Sequence, residues 1–68
     1  MNEDTFNMSI RKFLKKVGIN SQRDIEHMVL KEIESGKLKG DEVLDAKVTL
    51  EINGIGLKTG IDGKIELE

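Results

Sequence analysis

The hydrophobic pattern changes period once along the chain, and this change constrains the fold more than any other feature. Apolar residues recur roughly every 3.6 positions over residues 4–36, the spacing of a helix face. Over residues 45–68 they alternate, the spacing of a half-buried strand. The chain therefore reads as helical first and β second.

Phe6, Ile10, Phe13, Leu14 and Val17 fall at i, i+4, i+7, i+8 and i+11, which predicts a helix over about 4–17. Glu3 and Asp4 lie at its start and Lys15 and Lys16 near its end, as the macrodipole favours. Gly18 suits the C′ position, followed by apolar Ile19. Ser21 then reads as an N-cap, with Asp24 completing a weaker capping box. Ile25, Met28, Val29 and Ile33, widened by Leu30, predict a second helix over about 21–35, stopped at Gly36. The short turn between them predicts an antiparallel helical hairpin.

The connector from Lys37 to Leu44 is polar apart from Leu38, Val43 and Leu44. After it, Ala46, Val48, Leu50 and Ile52 alternate with Lys47, Thr49 and Glu51. Asn53-Gly54 is the signature of a two-residue type I′ turn, pairing Ile52 with Ile55 and Leu50 with Leu57. A three-residue loop, Ile61-Asp62-Gly63, with Gly63 left-handed, keeps a third strand in phase. Strands at about 45–52, 55–60 and 64–68 follow. The expected fold is α+β: a helical hairpin packed on a three-stranded antiparallel meander, ααβββ in two layers.

Sixty-eight residues make one domain, 1–68. A chain this short seldom buries enough apolar surface alone, and usually adds disulfides, a metal or a partner subunit. No Cys is present, so disulfides are excluded; one His without Cys argues against structural zinc, and no cofactor is implied. A homodimer is the remaining expectation. Met1 to Thr5 are polar and acidic, unlike a signal peptide, and no apolar run nears the roughly 20 residues of a membrane span. The expected location is cytoplasmic, away from membranes.

Catalytic chemistry finds little footing. His27 is the only imidazole and falls opposite the apolar stripe of its helix, as a surface residue would. Ser21 is explained as a cap, and Ser35 adjoins a helix stop. The carboxylates lie on predicted polar faces, with nothing to raise a pKa. Gly56 and Gly60 are predicted on the outer face of the central strand, flanking Lys58. They read as local twist and weak packing demand before they read as a bare patch for another backbone. The expectation is a protein that is not an enzyme.

The sharper feature is charge. Arg11, Lys12, Lys15, Lys16 and Arg23 lie within residues 9–23, where no acid occurs. Met8, Arg11, Lys12 and Lys15 share one helix face and form the candidate interaction surface. It suits an acidic protein partner, phosphates, or the acidic remainder of a second copy of the chain. The whole-chain charge of −2 conceals this asymmetry. Nucleic acid is disfavoured as the partner. The second helix, which would enter a groove in a winged helix-turn-helix, carries Asp24, Glu26, Glu32 and Glu34 against Arg23 and Lys31. An open sheet edge at 46–52 is a second candidate surface.

The opening MNEDTFNMSIRKFLKKVGINSQRDIE, the loop SGKLKG and the ending IDGKIELE resemble a family of short bacterial proteins of uncharacterised function. The resemblance spans essentially the whole chain and implies a free-standing bacterial protein. It carries no activity, cofactor or site residue. The reading that remains is a small protein–protein interaction module, expected to be homodimeric and to bind a further, unidentified protein.

Overall fold

The computed structural model describes all 68 residues. The chain is α+β. One helix, α1 (Glu3–Glu34), is followed by two strands, β1 (Val43–Ile52) and β2 (Leu57–Glu66), paired in a single antiparallel sheet. Two units result, Met1–Lys37 and Leu38–Glu68. The helical hairpin and the three-stranded meander expected from the sequence are not formed.

The ends of α1 follow from local chemistry. The Asn2 side-chain oxygen accepts from the Thr5 N–H at 3.1 Å, satisfying one of the orphan donors of the first turn. At the far end, Gly36 adopts φ +84°. Its N–H donates to the Ile33 carbonyl at 3.1 Å, and the Lys37 N–H donates to the Glu32 carbonyl at 3.0 Å. This is a Schellman motif, and Gly36 is the stop that the sequence predicts.

The expected break at Gly18 does not occur: residues 18–21 are helical. Gly18 is not left-handed, and Ser21 is mid-helix rather than a cap. The energetics explain the correction. Interior glycine costs a helix about 1 kcal/mol relative to alanine. A break would release up to four carbonyls and four N–H groups from intrahelical bonds. An N-cap at Ser21 returns only about 1 kcal/mol. The chain holds no proline to enforce the interruption.

Continuity changes the helix surface. Phe6, Ile10, Leu14 and Gly18 form one i+4 row, and Val17, Ser21, Ile25, Val29 and Ile33 form another. Each step of four residues advances about 40° around the axis. The apolar stripe therefore winds around α1 instead of following one line.

The sheet also departs from expectation. Its register pairs Ile52 with Leu57, Leu50 with Thr59, Val48 with Ile61, Ala46 with Gly63 and Leu44 with Ile65. The loop is four residues, Asn53-Gly54-Ile55-Gly56, with Gly54 at φ +93° and Gly56 at φ +67°. Asn53-Gly54 marks the turn but does not close it in two residues. Ile61, Asp62 and Gly63 lie inside β2 and not in a loop, and Gly63 is not left-handed.

Charge accounts for the register. The observed pairing sets Glu51 opposite Lys58, Lys47 opposite Asp62 and Asp45 opposite Lys64. The Lys58–Glu51 ion pair spans 3.9 Å, and Lys64 also bonds to Asp45. A two-residue turn would slide β2 by two positions and bring Asp62 opposite Asp45, a repulsive pair. Cross-strand charge pairs contribute roughly 0.2–1 kcal/mol each, so the two ion pairs formed, together with the Asp45–Asp62 repulsion avoided, favour the wider loop. The apolar face is unaffected by a slip of two, because side chains alternate with period 2.

Leu38–Glu42 leads into β1 through a loop held by one carboxylate. Glu42 accepts from the Lys39 N–H at 2.8 Å and from the Gly40 N–H at 2.9 Å. Gly40 adopts φ +104°, which presents both amides to the same acceptor.

Candidate interaction surface

The four residues singled out from the sequence all lie in the first half of α1. Positions 8, 11, 12 and 15 fall within about 100° of the helix circumference, so one face carries all of them. Met8 is 58% exposed, and Arg11, Lys12 and Lys15 are exposed as well. Arg11 and Lys15 are four residues apart, as are Lys12 and Lys16. Like charges at this spacing repel by a few tenths of a kcal/mol. No acid pairs with any of these four cations, or with Arg23.

Helix continuity adds two residues to this face. Ile19 and Leu30 follow Met8 at intervals of 11, close to three full turns, and are 49% and 60% exposed. With a break at Gly18, Met8 and Leu30 belong to different helices and Ile19 to the turn between them, so only the intact α1 aligns them. In the second half of the helix, Asp24, Glu26 and Glu34 have no cationic partner. Glu26 instead accepts from the Gln22 side-chain amide at 2.9 Å. Glu32 pairs with Lys37 at 3.5 Å.

The sheet is not the acidic counter-surface that its composition suggests. Its polar face is Val43, Asp45, Lys47, Thr49 and Glu51 opposite Glu66, Lys64, Asp62, Gly60 and Lys58. Of the acids in its interior, Asp45 and Glu51 are paired with lysines, and Asp62 stands opposite Lys47 in the register. Gly56 lies in the loop and not on a strand. Gly60 is not bare: a Cβ built there would meet the Lys47 Cε at 2.8 Å, so the lysine stem already occupies the space. The other sheet face is apolar, with Leu44, Ala46, Val48, Leu50 and Ile52 opposite Ile65, Gly63, Ile61, Thr59 and Leu57.

Neither unit contains a buried residue. Phe6 and Phe13 are each 50% exposed, although both fall on the apolar stripe that the expected two-layer fold would pack. The depressions beside Asp4, Asn7, Met8 and Arg11 and beside Asp24, His27, Met28 and Lys31 are open to solvent. No three His, Asp or Glu side chains are grouped so as to hold a metal ion. His27 is exposed on α1. Ser35 donates its hydroxyl to the Glu32 carbonyl at 3.0 Å, an end-of-helix bond. The Glu42 carboxyl is held below its ordinary value near 4.5, chiefly by the Lys39 amide and then by the Gly40 amide. Its role is to shape the loop. No helix is long and apolar enough to cross a membrane.

No curated protein and no solved structure matches the chain. A family model described as a family of unknown function, DUF6494, matches residues 1–68. The whole chain thus belongs to that family, consistent with the resemblance drawn from its opening, loop and ending segments.

Proposed function

We propose that the chain is a self-associating protein-interaction module and not an enzyme, with a second copy covering its apolar faces. One observation carries this reading: α1 and the hairpin each present an apolar face, and neither contains a buried residue. An isolated two-stranded hairpin is marginal in water, and a helix gains most of its stability from packing an amphipathic face. Phe6, Phe13, Leu14, Val48 and Ile61 keep about half of their surface exposed, and this apolar surface is open to another chain. Sedimentation equilibrium tests the reading. A mass of twice 7.6 kDa or more at micromolar concentration is expected, with a thermal midpoint that rises with concentration. A monomer that unfolds cooperatively at a concentration-independent midpoint would sink it.

A second reading rests on the five unpaired cations between Arg11 and Arg23 of α1. Together with Met8, the Arg11/Lys12/Lys15 face suits an acidic protein segment, or alternatively the phosphates of a nucleic acid. Binding to nucleic acid would fall steeply with salt and weaken in Lys12→Glu and Lys15→Glu. Absence of binding at low salt dismisses the nucleic-acid form of this reading.

A further inference from the structure

We propose that the free edge of β1 pairs antiparallel with β1 of a second copy, centred on Thr49, so that two hairpins form one four-stranded sheet. The inference rests on the self-association proposed above and adds to it a sheet-edge contact between the copies, separate from the contact that covers their apolar faces. Both outer edges of a two-stranded sheet are unpaired; natural proteins blunt such edges with proline, bulges or charges, and interior glycine weakens a strand. β2 contains Gly60 and Gly63, whereas β1 (Val-Leu-Asp-Ala-Lys-Val-Thr-Leu-Glu-Ile) contains neither glycine nor proline and pairs with β2 without a bulge. Its open edge is the stronger template.

The charges then select the alignment. About a two-fold axis at Thr49, residue i lies level with residue 98 − i of the other copy. Lys47 comes level with Glu51 of the second chain, twice by symmetry, and meets it when its flexible stem swings off Gly60 toward the free edge. Within each hairpin Glu51 already faces Lys58 and Lys47 already faces Asp62. The four strands then carry rows that read Lys58, Glu51, Lys47, Asp62, alternating in sign from edge to edge. Centring on Val48 instead would set Asp45 against Glu51, a like-charge pair. On the apolar face, the chosen axis sets Val48 level with Leu50 and Ala46 level with Ile52. Ile61, Val48, Leu50 and Thr59 then form one row, and Gly63, Ala46, Ile52 and Leu57 another. The product is a continuous apolar face twice the width of a single hairpin's.

The chain has no Cys, so Thr49→Cys introduces the only thiol. Under an added oxidant, the full-length variant is expected to cross-link rapidly as a disulfide dimer, because residues facing each other across antiparallel strands have Cα atoms about 4.5–5.5 Å apart. Glu51→Cys alone is expected to cross-link slowly, since its two copies stand four residues out of line. A dimer in which Glu51→Cys cross-links as readily as Thr49→Cys overturns the edge pairing and leaves self-association intact. A monomer overturns both. A charge exchange gives an independent reading. Lys47→Glu with Asp62→Lys keeps an opposite pair inside the hairpin but sets the new carboxylate against Glu51 of the other copy, and is expected to weaken dimerisation about tenfold. Adding Glu51→Lys with Lys58→Glu restores complementarity and should return the dissociation constant to that of the parent. An unchanged constant in the double variant, with the hairpin's circular dichroism retained, also overturns the pairing.

Discussion

Gly18→Ala separates an unbroken helix from a helical hairpin by the sign of its effect. Gly18 lies inside α1, is not left-handed, and has no heavy atom within 4 Å of the position its Cβ would take. Alanine there meets no steric penalty and removes the excess conformational freedom of glycine, so the helix should gain about 1 kcal/mol. For a chain of this size, that raises the thermal midpoint by about 4–8 °C. Were Gly18 the left-handed C′ residue of a shorter helix, alanine would instead cost about 1–2 kcal/mol. The assay is thermal unfolding followed by circular dichroism at the helical minimum, repeated over a range of protein concentrations. A gain in helix propensity shifts every midpoint equally, whereas an effect on an interface changes their spacing. Asn20→Pro supplies the opposite arm. Proline in the interior of a continuous helix costs about 3 kcal/mol or more, but just before a helix start it would be tolerated. A stability loss from Gly18→Ala, or indifference to Asn20→Pro, would refute the single helix.

The hairpin and its entry loop give two further tests. Gly63→Val should leave stability unchanged or raise it by up to about 1 kcal/mol, since Gly63 is an extended strand residue with open space around it and valine favours strands. Gly56→Val should cost about 1–2 kcal/mol because Gly56 holds φ +67°. The opposite ranking in urea unfolding would restore the three-stranded register. Glu42 supplies a pH dependence. Its folded pKa lies below the ordinary value near 4.5, so its contribution is complete above that value and is lost as pH falls through the lower folded value. Glu42→Gln should therefore reduce the acid sensitivity of the loop, read as a smaller change in Lys39 and Gly40 amide shifts between neutral and acidic pH. An equal change in both proteins would separate the loop from this carboxyl.

The elements that could be read from the sequence are those fixed by short-range chemistry. The switch from helical to alternating spacing, the stop at Gly36, the turn at Asn53-Gly54 and the alternation of Ala46, Val48, Leu50 and Ile52 all depend on residues within a few positions of one another. The break at Gly18 misled because a helix stop and a helix start, each worth about 1 kcal/mol, read the same whether or not the intervening backbone stays helical. Nothing in Gly18-Ile19-Asn20-Ser21 registers the hydrogen bonds an interruption would forfeit. The basic face at Met8, Arg11, Lys12 and Lys15 was legible because its members sit within eight residues on one helix. Ile19 and Leu30 joined it only when the helix was known to be continuous.

Register is the clearest case of a property the hydrophobic pattern leaves open. A slip of two residues returns every side chain to the same face, so the alternation that identifies β1 and β2 is silent about which residues face each other. Only the polar side distinguishes the alternatives: one sets Asp45 against Asp62, and the other sets Asp45 against Lys64 and Lys47 against Asp62. The same choice decides what the sheet can bind. In the slipped register its acids would remain unmatched and could receive the basic face of α1. In the observed register Asp45 and Glu51 are paired with lysines inside the hairpin, and neither is left for the cations of α1. The charges that settle the strand pairing thereby withdraw these two acids from Arg11, Lys12 and Lys15. Asp24, Glu26 and Glu34, the unpaired acids in the second half of α1, are a complement that a second copy of the chain still offers, beside Asp62, Glu66 and Glu68.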